Sequence, residues 1–145
     1  MNKILTGSRL FFDGIEGFHP KDTDCIQFVE SKDVNFIFRK RSFDRTDGTD
    51  TFYVVKQDKK HYLRWAAKFA YGSTLGQFLT PEFCHEMGIT IDDLPMLTSL
   101  CERLDDRHRY LKIIFDAYIE NGAMELNEHQ RLMAYEEYKK ERSLK

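Results

Sequence analysis

This 145-residue sequence predicts an α+β fold: a small, mixed, twisted sheet with helices packed on it and a helical C-terminal segment. Three observations point there. Short β-prone apolar runs separated by turn residues are confined to residues 1–58. From Lys59 to Lys145 apolar residues recur at helical spacing, behind capping and stop signals. No repeat, low-complexity stretch or linker divides the chain, so residues 1–145 read as a single domain.

The strands come first. Lys3-Ile4-Leu5 is a short candidate ending at the Gly7-Ser8 turn, with a helical turn or two after Ser8. Cys25–Val29 is mostly apolar and suits a central strand. Val34–Phe38 and Thr51–Val55 are two more candidates. Between them "RKRSFDRTDGTD" reads as a long loop, with a turn at Asp47-Gly48.

The helices follow. Lys59–Phe69 presents a polar face of lysines and arginine. "TPEFCHEMG" carries Thr80 as N-cap, Pro81 at the first helical position and Gly88 as a stop. Thr90 and Asp93 resemble a capping box, with Asp in place of Glu or Gln. From Arg107 to Asn121, Tyr110, Ile113, Ile114, Ala117 and Tyr118 fall on one helix face, and Gly122 ends it. Asn127 and Gln130 open a last helix, whose charged tail "EEYKKERSLK" is expected to fray.

Composition limits the function classes. At 41% hydrophobic and 32% charged the chain resembles an ordinary globular domain, and its net charge of −2 gives no global attraction to nucleic acid or an anionic membrane. No apolar run approaches the roughly 18 residues of a spanning helix, and "MNKILTGS" lacks the apolar core of a signal peptide. Cys25, Cys84 and Cys101 are widely spaced with no CxxC, which argues against a disulfide framework or a zinc site. A cytoplasmic protein with reduced thiols in its core, and no membrane partner, is the expectation.

One stretch carries chemistry. "TGSRLFFDGIEGFHPKDTD" places Gly7-Ser8 after a short strand, and Asp22 and Asp24 immediately before a longer one. Residues two apart in extended backbone share a side, and two carboxylates so close repel unless a cation or water intervenes. Mg²⁺ suits such a pair, because it takes carboxylate oxygens and leaves positions for water and triphosphate. Gly7 allows close backbone approach to a phosphate, Ser8 adds a hydroxyl, and Arg9 is a further phosphate contact. A DxD alone is weak; Gly-Ser after a strand followed by DxD into a second strand is more specific.

These residues resemble the nucleotidyltransferase superfamily related to DNA polymerase beta, in which a hydrophobic residue and Gly-Gly or Gly-Ser precede Asp-x-Asp at a strand. The match runs from Leu5-Thr6-Gly7-Ser8 across a 13-residue spacer to Asp22-Thr23-Asp24. Together with "FLTPEFCHEMGITIDDL" and "LDDRHRYLKIIFDAYIENG", the stretch is also similar to small nucleotidyltransferase-like proteins of bacteria and phages, over most of the chain. The resemblance implies a nucleotidyltransferase-like fold and transfer of a nucleoside monophosphate from an NTP to a hydroxyl. It further implies Mg²⁺ (or Mn²⁺) on Asp22 and Asp24, the triphosphate on Gly7 and Ser8, and an acceptor that is RNA, protein or a small molecule. The spacer is long for the pattern, and "FDGIEGFHP" is extra loop. A third carboxylate belongs on a later, adjacent strand. Asp50, just before "TFYVV", is the best candidate, ahead of Asp33 and Asp44.

Other features have plainer readings. "KQDKKHYLRWAAK" (Lys56–Lys68) reads as a solvated helix face with aromatics turned inward, the alternative being a grip on RNA or triphosphate. Arg39-Lys40-Arg41 reads as surface charge, with phosphate contact as the alternative. Gly72-Ser73 marks a helix boundary, and His85 and His108 lack partners at ligand spacing. Two other functions remain open beside the enzyme: a catalytically degenerate binding or regulatory module of the same fold, and an RNA-modifying toxin.

Overall fold

A computed structural model of the chain describes residues 3–20, 22–30, 38–69, 80–104 and 106–143, without the side chains of 38–41 and 69. The fold is α+β. Its strands are β1 (Ile4–Thr6), β2 (Thr23–Val29), β3 (Phe38–Asp44) and β4 (Thr49–Val55). They form one mixed sheet in the order β1-β2-β4-β3. β2 and β4 run parallel, whereas β1 on β2 and β3 on β4 are antiparallel.

Alternation explains which sheet face carries the core. Ile26 pairs with Ile4 on one side and Phe52 on the other, Phe28 pairs with Val54, and all five side chains are buried in one cluster with the helices. Phe28 stacks on Phe83 at 5.6 Å, and Phe83 meets Tyr62 at 4.8 Å, so two rings tie the sheet to the helical layer.

That layer comprises α2 (Lys59–Phe69), α3 (Pro81–Met87), α4 (Leu94–Leu100), α5 (Tyr110–Asn121) and α6 (Glu128–Ser143). A short α1 (Gly7–Phe12) follows β1 directly. The predicted caps are in place. Thr80 Oγ1 accepts from Phe83 N at 3.1 Å, and Gly88 closes α3 at φ 74°. Asp93 accepts from Thr90 N at 2.8 Å, around a 3-10 turn that leads into α4. Asn127 and Gln130 cap α6 reciprocally, each side-chain oxygen accepting from the other's backbone N–H.

Three expectations need correction. "RKRSFD" is not loop: β3 runs to Asp44 and turns through Arg45–Gly48 into β4. A strand at the edge of a sheet tolerates charge, so its lack of apolar alternation hides it from a pattern search. Of the strand expected at Val34–Phe38, residues 34–37 lie outside the described residues and Phe38 opens β3. On α5, which starts at Tyr110 rather than Arg107, Ile113 is only half-buried, while Leu111 and Phe115 join the buried face. The part of the charged tail that is described, residues 136–143, is helical and continues α6. Arg131, Tyr135, Tyr138 and Arg142 recur at i, i+4, i+7 and i+11, and this face packs. Arg131 donates to the carbonyls of Phe11 and Asp13 at the end of α1, while Arg142 lies 4.0 Å over the Tyr138 ring and donates to Arg107 O.

The three cysteines are buried and unpaired, and burial pushes the Cys84 and Cys101 thiols up to about 12, as befits inert core residues. Among the described residues no helix is long and apolar enough to cross a membrane.

Candidate functional site

One end of the sheet gathers the acidic residues, and strand direction is the reason. β2 and β4 are parallel neighbours in register, so Asp24 sits directly beside Asp50, and Thr6 at the end of β1 lies on Asp24's other side. Adjacent strands are about 4.8 Å apart. A hydrogen bond from Thr23 N to Gly48 O, 2.8 Å, pins the start of β2 to the turn that leads into β4. Asp24 and Asp50 continue the core-facing rows of Ile26-Phe28 and Phe52-Val54 by one step, which is why Asp50 is only 2% exposed. Asp22, just before β2, is exposed.

Gly7 supplies the closest approach. Its φ is 73°, and a Cβ there would come within 2.6 Å of Asp24 Oδ2. Both the backbone conformation and the space therefore require glycine. The chain leaves β1 and enters α1 by passing directly against the Asp24 carboxylate.

These residues open onto a cleft of about 470 Å³. The sheet end and α1 contribute Asp22, Asp24, Asp50 and Ser8. The long spacer contributes Gly17 to Pro20, and α6 contributes Tyr135 and Tyr138. The structure thus brings Ser8 and all three favoured carboxylates into one cavity, with Gly7 packed against Asp24. Arg9 is half-buried on α1 and is not among the described residues that line it. Of the alternatives to Asp50, Asp44 is exposed, its carboxylate accepts from Thr46 N at 2.8 Å in the turn, and it does not line the cleft; Asp33 lies outside the described residues.

The basic features lie elsewhere. Tyr62 is fully buried, as expected for inward aromatics, while Lys60, Arg64 and Lys68 are exposed. Lys56 pairs with Glu86 at 3.1 Å and Lys59 with Asp93 at 3.3 Å. The side chains of 39–41, and Gly72-Ser73, lie outside the described residues, and His85 is exposed.

The aromatic lining is what pattern reading missed. Phe18, Tyr135 and Tyr138 meet around Phe12, whose ring is 6.0, 5.3 and 4.9 Å from theirs. Tyr110 backs them, 5.2 Å from Tyr138, and burial holds its phenol well above the ordinary range, with Asp24's charge a smaller contribution in the same direction. The signal available was the i, i+3 tyrosine pair in an otherwise charged helix.

The donor set fits a divalent ion in kind: Asp22, Asp24, Asp50 and Ser8 offer oxygens, the His19 imidazole also lines the cleft, and the Asp24 carboxylate is held where a Cβ at Gly7 would intrude. Among the described residues, however, no three acidic, cysteine or histidine side chains already converge as a metal cage. Mg²⁺ at phosphate sites commonly takes one or two carboxylates and completes its shell with water and substrate.

Compared with known proteins, the chain matches no protein-family model, no curated protein and no solved structure.

Proposed function

We propose that the protein is a metal-dependent nucleotidyltransferase, moving a nucleoside monophosphate from an NTP to a hydroxyl acceptor. The observation that carries this reading is the in-register Asp24–Asp50 pair on parallel strands, opening with Asp22 and Ser8 onto one cleft. In this reading Asp22 and Asp24 hold Mg²⁺ (or Mn²⁺), which when bound neutralises triphosphate charge and acidifies the acceptor hydroxyl. Gly7 lets the backbone approach the phosphates, and the Ser8 hydroxyl donates to a phosphate oxygen. Asp50 accepts the proton of the acceptor hydroxyl as its oxygen bonds to the α-phosphorus. The α,β-bridging P–O bond then breaks, and pyrophosphate leaves with the electron pair.

Asp50→Asn tests the assignment. Label transfer from NTP should fall by at least about 10²-fold, a general base's typical contribution, while NTP affinity stays within about 3-fold because the phosphate-holding residues remain. Unchanged turnover would remove Asp50 from the site. A second reading, a catalytically silent nucleotide-binding protein, is favoured by the lack of three converged ligating side chains among the described residues. It predicts Mg²⁺-dependent NTP binding with no transfer even in the parent protein.

A further inference from the structure

The transferase reading gives work to the sheet end and to α1, and leaves the part of the cleft built by the spacer and α6 without a role. We propose that His19, Tyr135 and Tyr138 form a hydrogen-bond donor wall for the β- and γ-phosphates, the part of the nucleotide that leaves as pyrophosphate. The inference rests on the transferase reading, with the metal and the α-phosphate at the acids.

Charge makes the first argument. Among the described residues that line the cleft there are three carboxylates, Asp22, Asp24 and Asp50, and no lysine or arginine. A divalent ion offsets two of those charges, so a triphosphate bound beside them needs donors from other side chains. Apart from Ser8, the described lining side chains with a hydrogen to donate are those of His19, Tyr135 and Tyr138. Hydrogen bonds to an ionised phosphate are roughly twice as strong as those between neutral groups. Imidazole adds something a phenol lacks, because it can also carry positive charge near neutral pH.

Exposure makes the second argument. The tyrosine ring faces are covered, Tyr135 by Phe12 and the Lys139 ammonium, and Tyr138 by Phe12, Tyr110 and the Arg142 guanidinium. Tyr135 is only 5% exposed, so it meets the cleft at its rim. That rim carries the hydroxyl: a Cβ on Gly17, itself in the lining, would lie 3.8 Å from it. Neither the Tyr135 nor the Tyr138 hydroxyl is bonded to another described residue, and neither is sealed in the core as the Tyr62 hydroxyl is.

Positioning makes the third argument. Phe18 stands edge-on to Tyr135 and Tyr138, at 89° and 69°, and its N–H donates to Ile15 O at 3.1 Å. On the other side of His19, Pro20 restricts it to extended backbone. The exposed imidazole is thus carried between an anchored ring and a proline. Donors fixed in advance lose little freedom when a ligand binds, so more of each hydrogen bond appears as affinity. The extra length of the spacer between Gly-Ser and Asp-x-Asp thereby delivers a donor to the cleft.

The test titrates inorganic pyrophosphate into the full chain with Mg²⁺, by calorimetry. The parent should bind it. His19→Ala, Tyr135→Phe and Tyr138→Phe should each weaken binding by at least about 5-fold, in line with one lost hydrogen bond to a charged group. The two tyrosine changes remove only an oxygen and keep the packed rings, so circular dichroism should match the parent. His85→Ala, which removes an exposed imidazole outside the cleft, should leave affinity unchanged. No binding to the parent, or unchanged affinity in all three donor variants, would overturn the subsite. Asp24→Asn separates this from the underlying reading. If it lowers pyrophosphate affinity while the donor variants do not, the acids stand and the subsite falls. If the donor variants lower it while Asp24→Asn does not, the donors stand as a pyrophosphate site and the transferase reading fails.

Discussion

The two regions that form the cleft differ in how their residues come together. At the sheet end, the residues that matter lie at strand entries or exits, and the backbone register alone sets Thr6, Asp24 and Asp50 side by side. On α6, Tyr135 and Tyr138 reach the cleft only because that helix docks on α1 and α5, through Arg131 on the carbonyls of Phe11 and Asp13 and Arg142 over Tyr138 and Tyr110. A site built by register is local and robust to changes in the helices. A wall built by docking is only as secure as the helical layer beneath it.

The largest expected effect breaks the sheet-end side. Replacing Asp22 and Asp24 together by Asn keeps shape and removes two negative charges, so Mg²⁺-dependent NTP binding should become undetectable by calorimetry. Relief of like-charge repulsion should leave thermal stability unchanged or slightly higher. If the double variant binds NTP as the parent does, the acids are not the phosphate site. Next comes the helical layer. Ile114 is fully buried on α5, so Ile114→Ala should cost about 2–5 kcal/mol by denaturant titration. Half-buried Ile113 should cost clearly less when changed the same way. Equal costs would mean that α5 is rotated relative to this packing.

Gly7→Ala sharpens the comparison, because it strikes the sheet end through backbone rather than charge. The left-handed conformation alone costs about 1–2 kcal/mol for an L side chain, and the new Cβ meets Asp24 Oδ2 at 2.6 Å. Stability should fall by about that amount and nucleotide affinity should fall with it, as Asp24 is displaced. Retained affinity in a folded Gly7→Ala protein would show that the chain's approach to Asp24 has no part in binding.

How much of this was legible in the sequence follows the same division. Gly7, Ser8, Asp22, Asp24 and Asp50 could be read because strand entry points and a Gly-Ser turn leave local marks. Asp50's place beside Asp24 depended on one unreadable fact, the parallel pairing of β2 with β4. That pairing arises because β3 takes the edge and returns by the tight Arg45–Gly48 turn, and β3 itself was hidden by its charge. The tyrosines stayed out of view for a related reason. Tyr135 and Tyr138 are surrounded by Glu, Lys and Arg, so the helix looks solvated throughout. Its packing face includes long charged side chains whose heads reach rings and carbonyls instead of water.

The smallest effect probes the docked helix through a single proton. Glu141 on α6 is only 2% exposed, and neither carboxyl oxygen makes a well-formed hydrogen bond among the described residues, although the Tyr110 backbone N–H lies near and partly opposes the effect of burial. Burial, and then the charge of Glu137, raise its pKa from an ordinary 4.5 to about 7. The folded protein therefore keeps this proton after the unfolded chain has lost it, so stability falls as pH rises between about 4.5 and 7 and stays reduced above. Glu141→Gln cannot ionise. It should melt near the parent at pH 4.5 and a few degrees higher at pH 8. Thermal unfolding of both proteins at the two pH values measures the difference. An equal gap at pH 4.5 and pH 8 would place the titration elsewhere, and would mean that α6 docks without a buried charge to suppress.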